Sequence, residues 1–314
     1  MKTIRTHNLT RTFDETVAVD HLTLEVDEGE VFGLVGPDGA GKTTTMRLLT
    51  GIMTPSSGDA WVVDRHVVRE SEAVKEEIGY MSQRFGLYSD LTVQENIDFY
   101  ADIYSVPRKG RKEKVDELLA FSNLAPFRKR LAGNLSGGMK QKLGLVCSLI
   151  HTPKVLFLDE PTNGVDPVSR RDFWKILYQL LRQKVTIFVS TAYLDEAERC
   201  NRLGLIHQGR LLACGAPEEI KGLMKGTILE LRPINPRETM NVLRNKFGRR
   251  AVSLFGDRVH VVADDPQQMK KSMTDVLHDA KIEPGEIRWI EPTLEDVFVS
   301  VLADKNQGAI QDGT

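Results

Sequence analysis

The sequence predicts an α/β core built on a parallel sheet, interrupted by a helical insertion and followed by a small α+β domain. Three observations lead there. First, the short apolar runs EVFGLV (30–35), VLFL (155–158) and VTIFVS (185–190) occur among helix-like stretches such as KTTTMRLLTGI and SRRDFWKILYQLLRQ. Strands that are apolar on both faces and joined by helices indicate a parallel sheet covered on both sides. Second, between about 84 and 150 the pattern is helical, as in RKEKVDELLAFSNL and GGMKQKLGLVCSLI, which reads as an insertion in the α/β core. Third, after LLACGAPEEIKGLMKG the pattern resets to strand 227–232, helix 236–247, strand 250–255, strand 258–263, helix 266–280 and strand 286–290, closed by the helix TLEDVFVSVL. Gly256-Asp257 supplies the hairpin between the two central strands, and the order βαββαβ is that of a ferredoxin-like domain.

The expected organisation is therefore a first domain over 1–224 with a helical subdomain at about 84–150, a small αβ domain over 225–302, and a flexible polar tail, ADKNQGAIQDGT, at 303–314. With 314 residues and 41% hydrophobic content, the chain can bury a substantial core. A net charge of −2 offers no basic surface for nucleic acid. Cys147, Cys200 and Cys214 lack metal-ligand spacing and read as reduced, mostly buried small hydrophobes. The N-terminal MKTIRTHNLTRTF lacks an apolar signal core. No apolar run approaches the ~18 residues that a membrane span needs, so a role at a membrane requires a partner.

Two motifs carry chemistry. Gly36, Pro37, Asp38, Gly39, Ala40, Gly41, Lys42 and Thr43 fit G-x-x-x-x-G-K-[ST] between a buried strand and a helix, with Thr44 following. Glycines let successive backbone N–H groups turn toward phosphates, the helix N-terminus favours their charge, Lys42 reaches the β/γ oxygens and Thr43 can ligate Mg²⁺. Downstream, VLFLDE (155–160) ends a buried strand in two carboxylates. Asp159 is placed to hold the Mg²⁺ shell, and Glu160 to orient or deprotonate an attacking water.

Between these motifs lies Asn134-Leu135-Ser136-Gly137-Gly138-Met139, and here the chain resembles the ATP-binding cassette (ABC) ATPases, whose signature LSGGQ it matches as LSGGM. Ser136 opens a helix, and Gly137 and Gly138 expose N–H groups, giving a second phosphate site. The resemblance covers residues 1 to about 224 and implies a P-loop ATPase core that uses ATP and Mg²⁺. It implies that the signature of one subunit closes over the ATP of another, so that the working unit is a dimer. By the same resemblance Phe13 stacks on adenine, Gln83 senses Mg²⁺ and water, and Asp166 of NGVD lies at the dimer interface. Residues 84–104, with Leu87, Tyr88, Phe99 and Tyr104, then dock an integral-membrane permease, which would hold the chain at the cytoplasmic face of the membrane. The closing EPTLEDVFVSVL resembles the C-terminal extension of ABC-2-type, daunorubicin-resistance ATPase subunits.

Three departures from the family pattern bear on function. Where most members carry a histidine, in S-T-H-x-x-D-E-A-E, this chain has STAYLDEAE with Ala192. A methyl group can neither bond a phosphate nor carry a proton. Asp38 stands where asparagine is frequent, and Met139 where the signature has glutamine. Three functions follow as alternatives: a working exporter ATPase, a catalytically weak cassette that binds ATP and pairs with a more active one, or an ABC protein outside transport.

Overall fold

The structure is a computed structural model that describes residues 1–84, 86–224, 226–248 and 251–301; the segment expected to be a flexible tail lies outside them. Contacts divide the chain into two compact units, Met1–Cys214 and Gly215 onward. The division falls before the expected 224/225 boundary, so that the short helix after β10 goes with the second unit.

The first unit opens with a sheet that the sequence reading left without elements. Strands β1 (Lys2–Phe13) and β2 (Thr16–Asp27) pair antiparallel with several register shifts. After β3 (Val31–Val35) and α1 (Lys42–Leu49) come β4 (Ser57–Val62) and β5 (Arg65–His66), which complete the sheet in the order β2-β1-β4-β5.

The chain continues through α2 (Ser71–Glu77) and β6 (Ile78–Met81) into the helical insertion, α3 (Val93–Ile103), α4 (Arg111–Phe121) and α5 (Gly137–Leu149). Local chemistry sets two of these helix starts. Thr92 and Glu95 form a reciprocal capping box on α3, and Ser136 accepts from Met139 N at the head of α5. The insertion has its own core of Val93, Ile97, Leu119, Leu143 and Val146.

The α/β part then resumes with β7 (Val155–Asp159), α6 (Pro167–Arg182), β8 (Thr186–Thr191), α7 (Leu194–Ala197), β9 (Arg202–His207) and β10 (Arg210–Gly215). The six-stranded sheet runs β10-β9-β3-β8-β7-β6, with β9, β3, β8, β7 and β6 parallel. Strands β3, β7 and β8 are buried along their whole length. Alternate residues explain why. Phe32, Phe157 and Phe188 pack toward α1 and the antiparallel sheet, whereas Val31, Leu156, Leu158, Ile187 and Val189 pack toward α5 and α6. Because β3, β7 and β8 are parallel neighbours, their C-terminal ends emerge together, and the loops after them share one edge of the sheet.

Of the cysteines, Cys147 and Cys200 are buried, with thiols pushed up by burial, while Cys214 is exposed at the rim of β10. The reading of the cysteines as buried hydrophobes therefore holds for two of the three.

In the second unit, α8 (Pro217–Lys221) precedes β11 (Thr227–Arg232), α9 (Pro236–Phe247), β12 (Val252–Phe255), β13 (Arg258–Ala263), α10 (Pro266–Asp279) and β14 (Glu286–Ile290). The antiparallel order β12-β13-β11-β14 is the ferredoxin-like arrangement. A last helical stretch spans 294–301 among the described residues.

Candidate active site

The loop from Gly36 to Gly41 connects β3 to α1. Gly41 has φ +102°, and a Cβ there would lie 2.3 Å from the Ala18 carbonyl oxygen, so only glycine lets the loop pass so close under β2. Lys42, the first residue of α1, is 4% exposed. Its Nζ donates to the carbonyls of Gly36 (2.8 Å) and Pro37 (3.0 Å), and lies 3.0 Å from Glu160 Oε1. Next to it, Thr43 Oγ1 donates to Asp159 Oδ1 at 3.1 Å.

Asp159 ends β7 and is 1% exposed. Opposite it in the β7/β8 register stands Ser190, whose Oγ donates to Asp159 Oδ1 at 2.7 Å. The other oxygen, Oδ2, is buried and has no hydrogen-bond partner among the described residues. Burial raises the Asp159 pKa, and the bonds from Ser190 and Thr43 only partly oppose it.

Glu160 has φ +48°, an uncommon conformation for a residue with a side chain. Its backbone N donates to Ser190, both to O (3.2 Å) and to Oγ (3.0 Å). The turn points its carboxylate at Lys42 through Oε1, while Oε2 accepts from Gln83 Nε2 (3.1 Å) and Asn163 Nδ2 (3.3 Å).

These groups line a cleft of about 360 Å³ bordered by Ala18, Asp38, Gly39, Ala40, Gly41, Lys42, Thr43, Thr44, Gln83, Glu160 and Asn163. Most residues singled out from the sequence thus converge, with Asp159 joined through Thr43. The remainder lie elsewhere. Phe13 is 40% exposed at the end of β1, its ring 4.6 Å from the Arg11 guanidinium carbon. Asp166 caps α6 by accepting from Val168 N and Ser169 N, bonds that hold its carboxyl below the usual range. Ser136 and Gly137 are exposed, while Gly138 packs so closely on α6 that a Cβ would meet Ser169 Cβ at 2.5 Å. That glycine has a packing reason of its own.

Sequence reasoning missed Ser190 and Asn163. Both sit beside residues it did select, Ser190 two positions before Ala192 and Asn163 three after Glu160, but the role of Ser190 depends on the β7/β8 register and that of Asn163 on the left-handed turn at Glu160. Ala192 is exposed and brings no polar side-chain atom to the site. Tyr193, the next residue, bonds Asn163.

Comparison with known proteins gives a consistent answer. A family model described as ABC transporter matches residues 19–163. The chain is 43% identical to the probable multidrug ABC transporter ATP-binding protein YbhF of Escherichia coli (strain K12), over 91% of this chain and 49% of the relative. The chain thus spans about half the length of that protein. It is 32% identical to the daunorubicin resistance ATP-binding protein DrrA2 of Streptomyces coeruleorubidus, over 97% of this chain and 96% of the relative. Among solved structures, cbiO1 from Clostridium perfringens, part of the ABC transporter complex cbiONQ, aligns with a TM-score of 0.65 and 25% identity, covering 79% of this chain and 96% of that one. A relative alike along nearly its whole length, together with a phosphate loop and an acidic pair converging on one cleft, places this chain in the ABC transporter ATP-binding proteins, a family of ATPases.

Proposed function

We propose that this chain binds ATP with Mg²⁺ in the cleft, hydrolyses it, and as half of a dimer drives a separate membrane permease in export. The observation that carries this reading is the Glu160 carboxylate, turned by a left-handed backbone to within 3.0 Å of Lys42 Nζ and bonded by Gln83. A carboxylate so placed beside a phosphate loop can take the proton of a water that attacks the γ-phosphate. Phosphates entering the loop compete with Glu160 for Lys42, which frees the carboxylate to act as a base.

Thr43, Asp159 and Gln83 are the residues that would hold Mg²⁺. The fit is supported by Asp159 Oδ2, a buried acceptor with no donor among the described residues. When bound, the cation neutralises phosphate charge. Phe13, at the end of β1, is assigned to adenine. Ser136, Gly137 and Gly138 are assigned to the nucleotide of a second copy, with Asp166 beside that interface.

The permease is assigned to the helical insertion. Tyr88 (48%) and Ile103 (57%) are exposed there, whereas Tyr104 stacks on His151 at 3.8 Å and Leu87 packs against the insertion core. Of the residues expected to form a groove, Tyr88 is exposed, while its edge-to-face neighbour Phe99 is part-buried like Leu87 and Tyr104. Among the described residues no helix is long and apolar enough to cross a membrane. Export is supported by relatives named for drug resistance. The second unit is assigned to dimerisation or regulation.

The test is steady-state ATP turnover beside light-scattering mass with and without ATP. Turnover and an ATP-dependent dimer support the reading; a monomer that never turns over opposes it. Ala192 favours a second reading, a cassette that binds ATP and leaves most turnover to a paired site. Tight binding without turnover, restored by Ala192→His, would select that one.

A further inference from the structure

Glu160 is held by three side chains, of which Lys42 and Gln83 belong to elements the phosphate site already requires. The third, Asn163, is itself held from outside the cleft. Its Nδ2 donates to Glu160 Oε2 at 3.3 Å, and its Oδ1 accepts from the Tyr193 hydroxyl at 3.4 Å. Only one orientation of the amide serves both partners, since the carboxylate can only accept and the phenol is needed as a donor.

Both ends of this chain of bonds are tied to one buried anchor. Glu196, 1% exposed, accepts from Thr162, the neighbour of Asn163, and from Thr191 Oγ1 at 2.8 Å. Thr191 Oγ1 in turn accepts from Tyr193 N at 3.0 Å. Arg170 lies 3.5 Å from Glu196 and places its guanidinium 4.4 Å from the centre of the Tyr193 ring, which fixes the ring face. The tyrosine hydroxyl is thus set by a network reaching from β8 to the loop after β7.

We propose that Tyr193 is a positioning residue for hydrolysis: acting through the Asn163 amide, it orients the Glu160 carboxylate toward the attacking water, at a strand end where Ala192 offers no polar group. This rests on the assignment of Glu160 as the base. The phenol acts through Asn163: it limits the rotation of the amide that steers the base. Its effect therefore falls on the chemical step and leaves ATP binding alone.

The experiment is a cycle of Tyr193→Phe, Asn163→Ala and the double variant, with kcat, KM for ATP and thermal midpoint measured for each, and Glu160→Gln as the control. Phenylalanine keeps the ring against Arg170 and removes only the hydroxyl. Tyr193→Phe is expected to lower kcat about fivefold, the worth of one ordinary hydrogen bond, with KM and melting unchanged. In the Asn163→Ala background the same change should have no further effect, because the amide that transmits it is gone. An unchanged kcat in Tyr193→Phe, or equal losses in both backgrounds, would overturn the proposal while leaving the hydrolysis reading intact. An unmodified chain whose turnover does not depend on Glu160 would sink both together.

Discussion

Among the described residues, the buried carboxylate at the end of β7 and the buried pair Glu230 and Asp296 of the second unit are wired in opposite ways. Asp159 is almost fully buried with one oxygen lacking a hydrogen-bond partner among the described residues, and burial raises its pKa. In the second unit, Glu230 and Asp296 are also buried, but donors surround them. Glu230 faces Arg258 at 3.0 Å and Arg232 at 3.2 Å; Asp296 accepts from Thr293 and pairs with His260 Nδ1 at 2.8 Å. Burial raises these two as well, but the donors outweigh it and hold both below the usual carboxylate range. For Asp159 and Asp296, both deeply buried, the difference lies in their donors, which separates a cluster that finishes its own electrostatics from one left short of positive charge where phosphates and a cation are proposed to bind.

The largest effect expected outside the base itself comes from Lys42→Ala, which removes the only ammonium 3.0 Å from Glu160 among the described residues. ATP affinity should fall about 100-fold, as for loss of a charged hydrogen-bonding group, measured by titration calorimetry. Asp159→Asn sharpens the contrast. Because its pKa is raised in the fold, ionised Asp159 lowers stability above the folded pKa, and the loss is relieved as pH falls through it. The variant should thus lose Mg²⁺-dependent turnover yet melt no lower than the unmodified, nucleotide-free chain at neutral pH. The corresponding Asp296→Asn, which breaks a satisfied cluster, should lower the melting midpoint.

Ser190→Ala removes a donor from Asp159 and an acceptor from Glu160 N, which should cost about 1–3 kcal/mol in chemical denaturation. The smallest effect concerns His260. Burial works against its proton, but Asp296 and Glu230 prevail and raise its pKa. Its contribution is therefore complete below about pH 6.5 and fades as pH rises through the higher folded pKa. His260→Gln should flatten that part of the stability profile.

What the sequence made legible was local. The phosphate loop announces itself within one stretch, the three core strands are apolar on both faces, and the βαββαβ order of the second unit follows from short periodic segments and one hairpin turn. The long strands β1 and β2 were not assigned: register shifts break the two-residue alternation along β1 and the first half of β2, and only the stretch from Leu22 to Val26 keeps it. Ser190 and Asn163 were not visible as site residues either. Ser190 acts because β8 is registered against β7, and Asn163 because the left-handed turn at Glu160 brings both side chains together. Asp166, which the sequence reading assigned to a dimer interface by resemblance alone, also has a local role that reading did not name, the N-cap of α6.

The most direct test of the central claim compares ATP binding and turnover in the unmodified chain and in Glu160→Gln. If Glu160 is the base, the variant should bind Mg²⁺-ATP about as tightly as the unmodified chain while turnover falls by about 10²-fold or more. Equal turnover in the two proteins would contradict the account and move the chemistry to another group.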